Sequence, residues 1–321
     1  RTPFLETEGE RASLQPLTWG RKSDWIPTFC GTAGSLAVEG MLLAPVGERG
    51  FLYQLTVRST SDKPLSSTFG LEGCWASAWH CVNEDKEIDG ARRCYTSLWN
   101  DSLIFDMRCG LPLFACAPMM DQPCSSTFQE TDAGIVYRLA HACTLEPGEA
   151  VTVTFYWGVG FEEVAAATSA KEMLRQGWQH ELQVTTDWLD ARRWPIPDAQ
   201  LERLYNTNLF FCLFYSAGIT LDTEELVLVT SRSPRYYVSA AYWDRDSLLW
   251  SFPTVVDADP ALARRMLDYV FGRQRRNLGV HSRYIDGTVL EPGFELDELM
   301  APVLALERYV GATGDRTVWR T

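Results

Sequence analysis

Positive charge is scarce in this sequence. Twenty-nine Lys and Arg stand against 42 Asp and Glu, the formal net charge is −13, and no block of basic residues occurs. A nucleic-acid or anionic-lipid partner is thereby excluded as the principal one, and a neutral ligand is expected. No apolar run approaches the roughly 20 residues that a membrane span needs, so a soluble protein without a membrane partner is expected. The nine cysteines are scattered, and neither a Cys-x-x-Cys pair nor a Cys/His zinc spacing is present. They read as mostly buried thiols in a reducing compartment, with no metal site and no cofactor. No signal peptide precedes the first strand-like segments, and with the thiols read as reduced the expected location is the cytoplasm, although the chain begins at Arg1 rather than Met.

What is present is globular: 46% hydrophobic and 22% charged residues over 321 positions, enough for two domains with separate cores. Between Gly34 and Gly160 the dominant period is two. In FLYQLTVRS, Phe51, Tyr53, Leu55 and Val57 share one face. IVYRLAHACTL alternates likewise, and after Glu146-Pro147-Gly148-Glu149 the segment VTVTFYWGV places Val151, Val153, Phe155, Trp157 and Val159 on one face, which predicts a hairpin. With further short runs (SLAVEGMLL, SLIFDMRCG, LPLFACAPMM) the expectation for 1–160 is an antiparallel β-sandwich. His80 and His141 fall in strand-like patterns and are expected in its core.

After Gly160 the period becomes helical, and a linker helix is expected over 161–196, ended by Pro195 and Pro197. Asp198 caps a helix carrying Leu201, Leu204, Tyr205, Leu209 and Leu213. Asp259-Pro260 opens another with Leu262, Met266, Tyr269 and Val270, and a third runs from about Asp297 to Val310. Long polar and aromatic loops join them, the usual place for function. GDRTVWRT reads as a cap at Asp315 and the opening of a helix stopped at Thr321, as in a piece of a longer protein.

In YYVSAAYWDRDSLLW (236–250) three charges, Asp244, Arg245 and Asp246, follow Trp243 directly. They open a surface helix, with Asp246 and Ser247 as caps, or they form the polar floor of a pocket walled by Tyr242 and Trp243.

WDRDSLLW resembles the Trp-x-Arg-Asp motif of six-hairpin (α/α)6-barrel glycosidases, a group that includes glucoamylases, trehalases and the glucosidase domain of debranching enzymes. Downstream, GVHSRYIDGTVLEPGFELDELMAPVLALERYVGATGD (279–315) is similar to the debranching-enzyme segment in which an arginine-bearing loop leads to an aspartate that opens a helix. The resemblance implies a sandwich followed from residue 197 by the first part of an (α/α)6 toroid, and an inverting glycoside hydrolase acting on α-glucosidic or related oligosaccharides.

It places the general acid at Asp297, with Glu295 and Glu298 as rivals, and sugar contacts at Arg245, Asp246 and Arg283, with Tyr242 and Trp243 as a wall or simply as core. Asp244 stands where debranching enzymes commonly have glycine, and Met300 where they commonly have tryptophan. The chemistry suits those residue types. A carboxylate beside a guanidinium takes sugar hydroxyls, and cleavage needs one carboxyl kept protonated, which the apolar run FELDELMAPVL favours at Asp297. No base is identified. Two other readings share the fold: a sugar-binding or scaffolding piece that cleaves nothing, and a phosphorylase.

Overall fold

A computed structural model describes residues 2–76, 79–80, 86–87, 90–108, 114–220, 223–231 and 241–320, with the backbone alone at 79–80, 86–87 and 320. Cys81, Cys109, the opening of LPLFACAPMM, residues 236–240 and the His80 side chain lie outside that description. The chain forms two compact units. One comprises Arg1–Ala78 and Glu87–Ala191, the other Trp79–Lys86 and Arg192–Thr321.

The first unit holds two antiparallel sheets. Eight strands lie in the order Ala91–Thr96, Leu103–Arg108, Phe114–Met120, Ala150–Gly160, Gly50–Ser59, Leu36–Leu43, Ile26–Ala33 and Thr18–Lys22. Five lie in the order Ser125–Thr131, Gly134–Leu145, Leu65–Trp75, Thr2–Thr7 and Glu10–Arg11. The period-two faces meet between them. Leu55, Val57, Phe105, Phe155 and Trp157 from the larger sheet pack with Leu5, Phe69, Leu71 and Leu139 from the smaller, and Phe51 stacks on Trp157 with centroids 5.7 Å apart. His141 is a core histidine: its Nδ1 lies 2.8 Å from the Pro123 carbonyl oxygen, and its ring stands edge-on to Phe69.

The hairpin expected at Glu146–Glu149 does not form. The two strands belong to different sheets, Leu145 pairing with Leu65 and Ala150 with Arg58. Each carries one apolar face, and these faces are satisfied by meeting across the sandwich interior rather than side by side. The Pro-Gly turn therefore arches from one sheet to the other.

The single linker helix expected over 161–196 is two helices, α1 (Glu163–Gln176) and α2 (Trp178–Asp190), and they belong to the first unit. They break at Gly177, whose φ of +86° suits glycine alone. Small side chains explain the docking of α1. Ala166 and Ala167 pack on Ile104, Ala115 and Ala117, and a Cβ at Gly158 would stand 2.0 Å from the Ala166 carbonyl oxygen. The helix backbone thus rests directly on the sheet, whose central strands are buried on both faces.

The second unit is mainly helical. Asp198 accepts the Gln200 and Leu201 N–H groups and opens α3 (Ala199–Ser216). A π-helical turn, Arg245–Ser251, runs into α4 (Phe252–Ala258). Asp259 then accepts the Leu262 N–H and opens α5 (Pro260–Tyr269), which a second π turn, Val270–Gln274, prolongs. The last helix, α6 (Leu296–Thr313), passes through Gly311 and ends where Gly314 turns left-handed at φ +71°. Asp315 takes the Thr317 N–H at 2.9 Å and starts a 3-10 turn, Thr317–Arg320. Helix α4 packs against α3, α5 and α6 through Phe252, Val255 and Val256, all buried. A three-stranded antiparallel sheet, Ala241–Tyr242, Val280–Tyr284 and Val289–Phe294, leads into α6.

Among the described residues no helix is long and apolar enough to cross a membrane. The seven described cysteines are free; Cys94 and Cys116 are buried as expected, Cys124, Cys143 and Cys212 are only partly so, and Cys30 and Cys74 are exposed on outward positions of their strands.

Candidate functional site

The three charges after Trp243 part company. The Asp244 side chain is fully buried and receives a hydrogen bond from Arg283, itself 1% exposed. The same guanidinium donates to the carbonyl oxygens of Gln274 and Arg276, and its carbon lies 5.2 Å from the Tyr242 ring centroid. Tyr242 and Trp243 are buried too. Of the two readings of Tyr242 and Trp243, wall or core, their burial agrees with core, whereas Arg283, expected to meet a ligand, is interior. Strand pairing sets Tyr242 opposite Arg283 on one face of the sheet, and both side chains are buried there.

Arg245, at the head of the π turn, points elsewhere. Its Nη1 donates to Asp297 at 2.8 Å and to Glu295 at 3.1 Å, its Nη2 lies 3.6 Å from Glu298, and its Nε lies 3.7 Å from Asp246. Its backbone N–H donates to Glu298 at 3.0 Å. An N–H at a helix start is thus satisfied by a carboxylate from α6 and not by the local caps expected at Asp246 and Ser247. Ser247 instead lies 3.5 Å from the Thr230 hydroxyl, which accepts the Trp243 N–H.

One half-exposed guanidinium is thus shared among four carboxylates whose environments differ. Asp297 is about half exposed, and the Arg245 hydrogen bond holds its carboxyl below the ordinary aspartate range. That direction is opposite to the one expected from the apolar run, because on the first turn of α6 the side chain faces solvent and Arg245. Glu298, one residue on, is fully buried, and burial, helped by the Asp244 charge, pushes its carboxyl up to about 7 against the pull of the Arg245 N–H. Burial also raises Asp246 and Asp244, the latter against the attraction of Arg283. Near neutral pH Glu298 therefore binds a proton readily, while Arg245 keeps the neighbouring Asp297 ionised.

His281, which the sequence offers either as a cleft residue or as part of a solvated turn before Asp297, places Nδ1 2.7 Å from Glu295 and Nε2 3.4 Å from Glu291, edge-on to Trp243. Besides Asp244, the acceptors of Arg283 are main-chain carbonyls, which sequence reasoning missed because no residue pattern announces them.

No protein-family model and no curated protein matches the sequence. Solved structures match its fold. A human-microbiome protein described as a kojibiose phosphorylase aligns with 96% of this chain and 45% of its own at a TM-score of 0.64 and 8% identity. A bacterial glucoamylase complexed with acarbose aligns with 96% and 49% at 0.57 and 12%. The chain spans less than half the length of either, and at such identities the likeness is one of fold: a mixed β and α architecture with large antiparallel sheets, of the glucoamylase and phosphorylase type.

Proposed function

We propose that the protein is a carbohydrate-active enzyme, an inverting glycoside hydrolase acting on α-glucosidic oligosaccharides. The observation that carries this reading is Arg245, half-exposed and shared among Asp246, Glu295, Asp297 and Glu298. A guanidinium among carboxylates presents alternating donors and acceptors, the complement of a ring of hydroxyls. Arg245 and Asp246 hold the sugar.

Asp297 is the proton donor in this reading, because it alone combines wide exposure with a place at the start of α6. Arg245 keeps it ionised without a ligand; when sugar hydroxyls draw the guanidinium away, the carboxyl regains its proton affinity, and the acid is armed by substrate. Glu298 holds a proton more readily but is sealed from solvent, which favours a role in fixing the Arg245 backbone.

The test is hydrolysis of a panel of α-linked disaccharides by the full-length protein, with the product anomer followed by NMR, with and without inorganic phosphate. Inverted product without phosphate supports the hydrolase. Strict dependence on phosphate would move the assignment to a phosphorylase, a reading that the first of the two fold neighbours favours. No cleavage of any α-glucoside would sink the proposal. Asp246→Asn should weaken sugar binding by about 1.5–3 kcal/mol. Asp297→Asn should lower turnover by about 10²–10⁴, with recovery on a glycosyl fluoride, whose leaving group needs little protonation. Near-normal turnover of Asp297→Asn on a disaccharide would shift the acid to Glu298 or Glu295.

A further inference from the structure

Asp244 and Arg283 form an ion pair in which solvent reaches neither side chain. Removing two charges from water costs much of what their attraction returns, so such a pair adds little to stability when set against an apolar replacement. Its distinguishing property is direction. The Arg283 fork joins Asp244, which directly precedes the π turn, to the carbonyls of Gln274 and Arg276, where the second π turn ends. From the other side, Glu298 of α6 takes the N–H of Arg245. The backbone at 244–245 is therefore clamped twice, by a side chain behind it and a carboxylate before it. The adjoining Arg245 and Asp246 side chains, unlike Asp244 and Arg283, are partly exposed.

We propose that Asp244 and Arg283 are a buried positioning pair that sets the π turn so that Arg245 and Asp246 face the ligand, without touching it themselves. This rests on the carbohydrate reading of the Arg245 cluster, and it assigns the Asp-Arg-Asp run two jobs: the first aspartate aims, and the following pair binds.

The test uses Asp244→Asn, which keeps the shape and removes the charge, and Arg283→Lys, which keeps the charge and removes the fork. Two readings are taken on each folded variant: the side-chain N–H signal of Arg245 by NMR, assigned through its loss in Arg245→Lys, and the affinity for acarbose by titration. A held guanidinium gives a distinct, slowly exchanging signal. The expected result is that both variants melt cooperatively, lose the distinct Arg245 signal and bind acarbose about tenfold or more weakly, the size of effect that misplaced groups produce.

An unchanged signal, or a changed signal with affinity within about twofold of a wild type that binds, overturns the proposal. So does failure of both variants to fold, because the pair would then serve the whole unit and not the aim of one turn. If wild type itself binds no acarbose, the carbohydrate reading is what fails, and the Arg245 signal alone decides the positioning.

Discussion

In the first unit Phe155 and Trp157 lie between two sheets while α1 seals the outer face of the larger one. In the second, α3 leaves Leu201, Leu204, Tyr205, Phe211 and Tyr215 in solvent, and α6 does the same with Leu296, Met300, Val303 and Leu304. Both units have apolar stripes at the right spacing, but only the sandwich covers its stripes. To an apolar core around Phe252, Val255, Met266 and Leu267 the helical unit adds ion pairs: Asp244 with Arg283, Asp259 with Arg192, Asp257 with Arg308, and Asp315 with Arg264 and Tyr309. Close packing resists change in volume, whereas ion pairs resist change in charge. The two units should therefore fail under different perturbations.

The strongest way to break that contrast is Trp157→Ala. It should cost the first unit about 3–5 kcal/mol, read by hydrogen exchange that reports each unit separately; an equal loss in the second unit would defeat it. Next is pH. The Glu298 carboxyl is raised in the fold from its ordinary 4.5 to about 7, so its contribution is fully present below about 4.5 and lost as pH rises through 7. The second unit should lose on the order of 2–3 kcal/mol between pH 5 and 8, and Glu298→Gln should flatten the curve. A stability profile of Glu298→Gln identical to wild type would show that the carboxyl is not the sensor.

Gly158→Ala follows at about 1–3 kcal/mol, since the methyl would meet the α1 backbone; the same change at Gly311, which has open space around it, should cost nothing measurable. The smallest effect should come from Val303→Ser, within about 0.5 kcal/mol in stability but with reduced binding of a hydrophobic dye. A dye signal that does not fall would mean the α6 stripe is not what the dye detects.

How far these features were legible differs by region. Val153, Phe155 and Trp157 announced their shared face because a strand's side chains alternate whatever it pairs with. The same alternation carries no record of which strand is the neighbour, so the arch at Glu146–Glu149 resembled a hairpin. Caps at Asp198 and Asp259 were legible because they act within three residues of themselves. The alanines of α1 were not read as a docking face, since their fit depends on Gly158 and Gly160 in another strand. In the Arg245 cluster, residue types and their proximity in sequence suggested a site, yet orientation was invisible. Asp244 and Arg245 are adjacent and point to different partners because the π turn and the Tyr242–Arg283 pairing fix their directions. Asp297 and Glu298 are likewise adjacent, and helical rotation exposes one and buries the other.

The larger sheet also has a consequence in time. Gln54 and Thr154, partners in its centre, are 100 residues apart, and Leu65–Trp75 waits in the same way for Gly134–Leu145. A ribosome adds about 5–20 residues each second, so the strand Gly50–Ser59 spends on the order of ten seconds with one edge open before its neighbour exists. Newborn chains should meet chaperones or one another during that interval, and slowing translation after residue 60 should lower the yield of folded protein more than slowing it after residue 160.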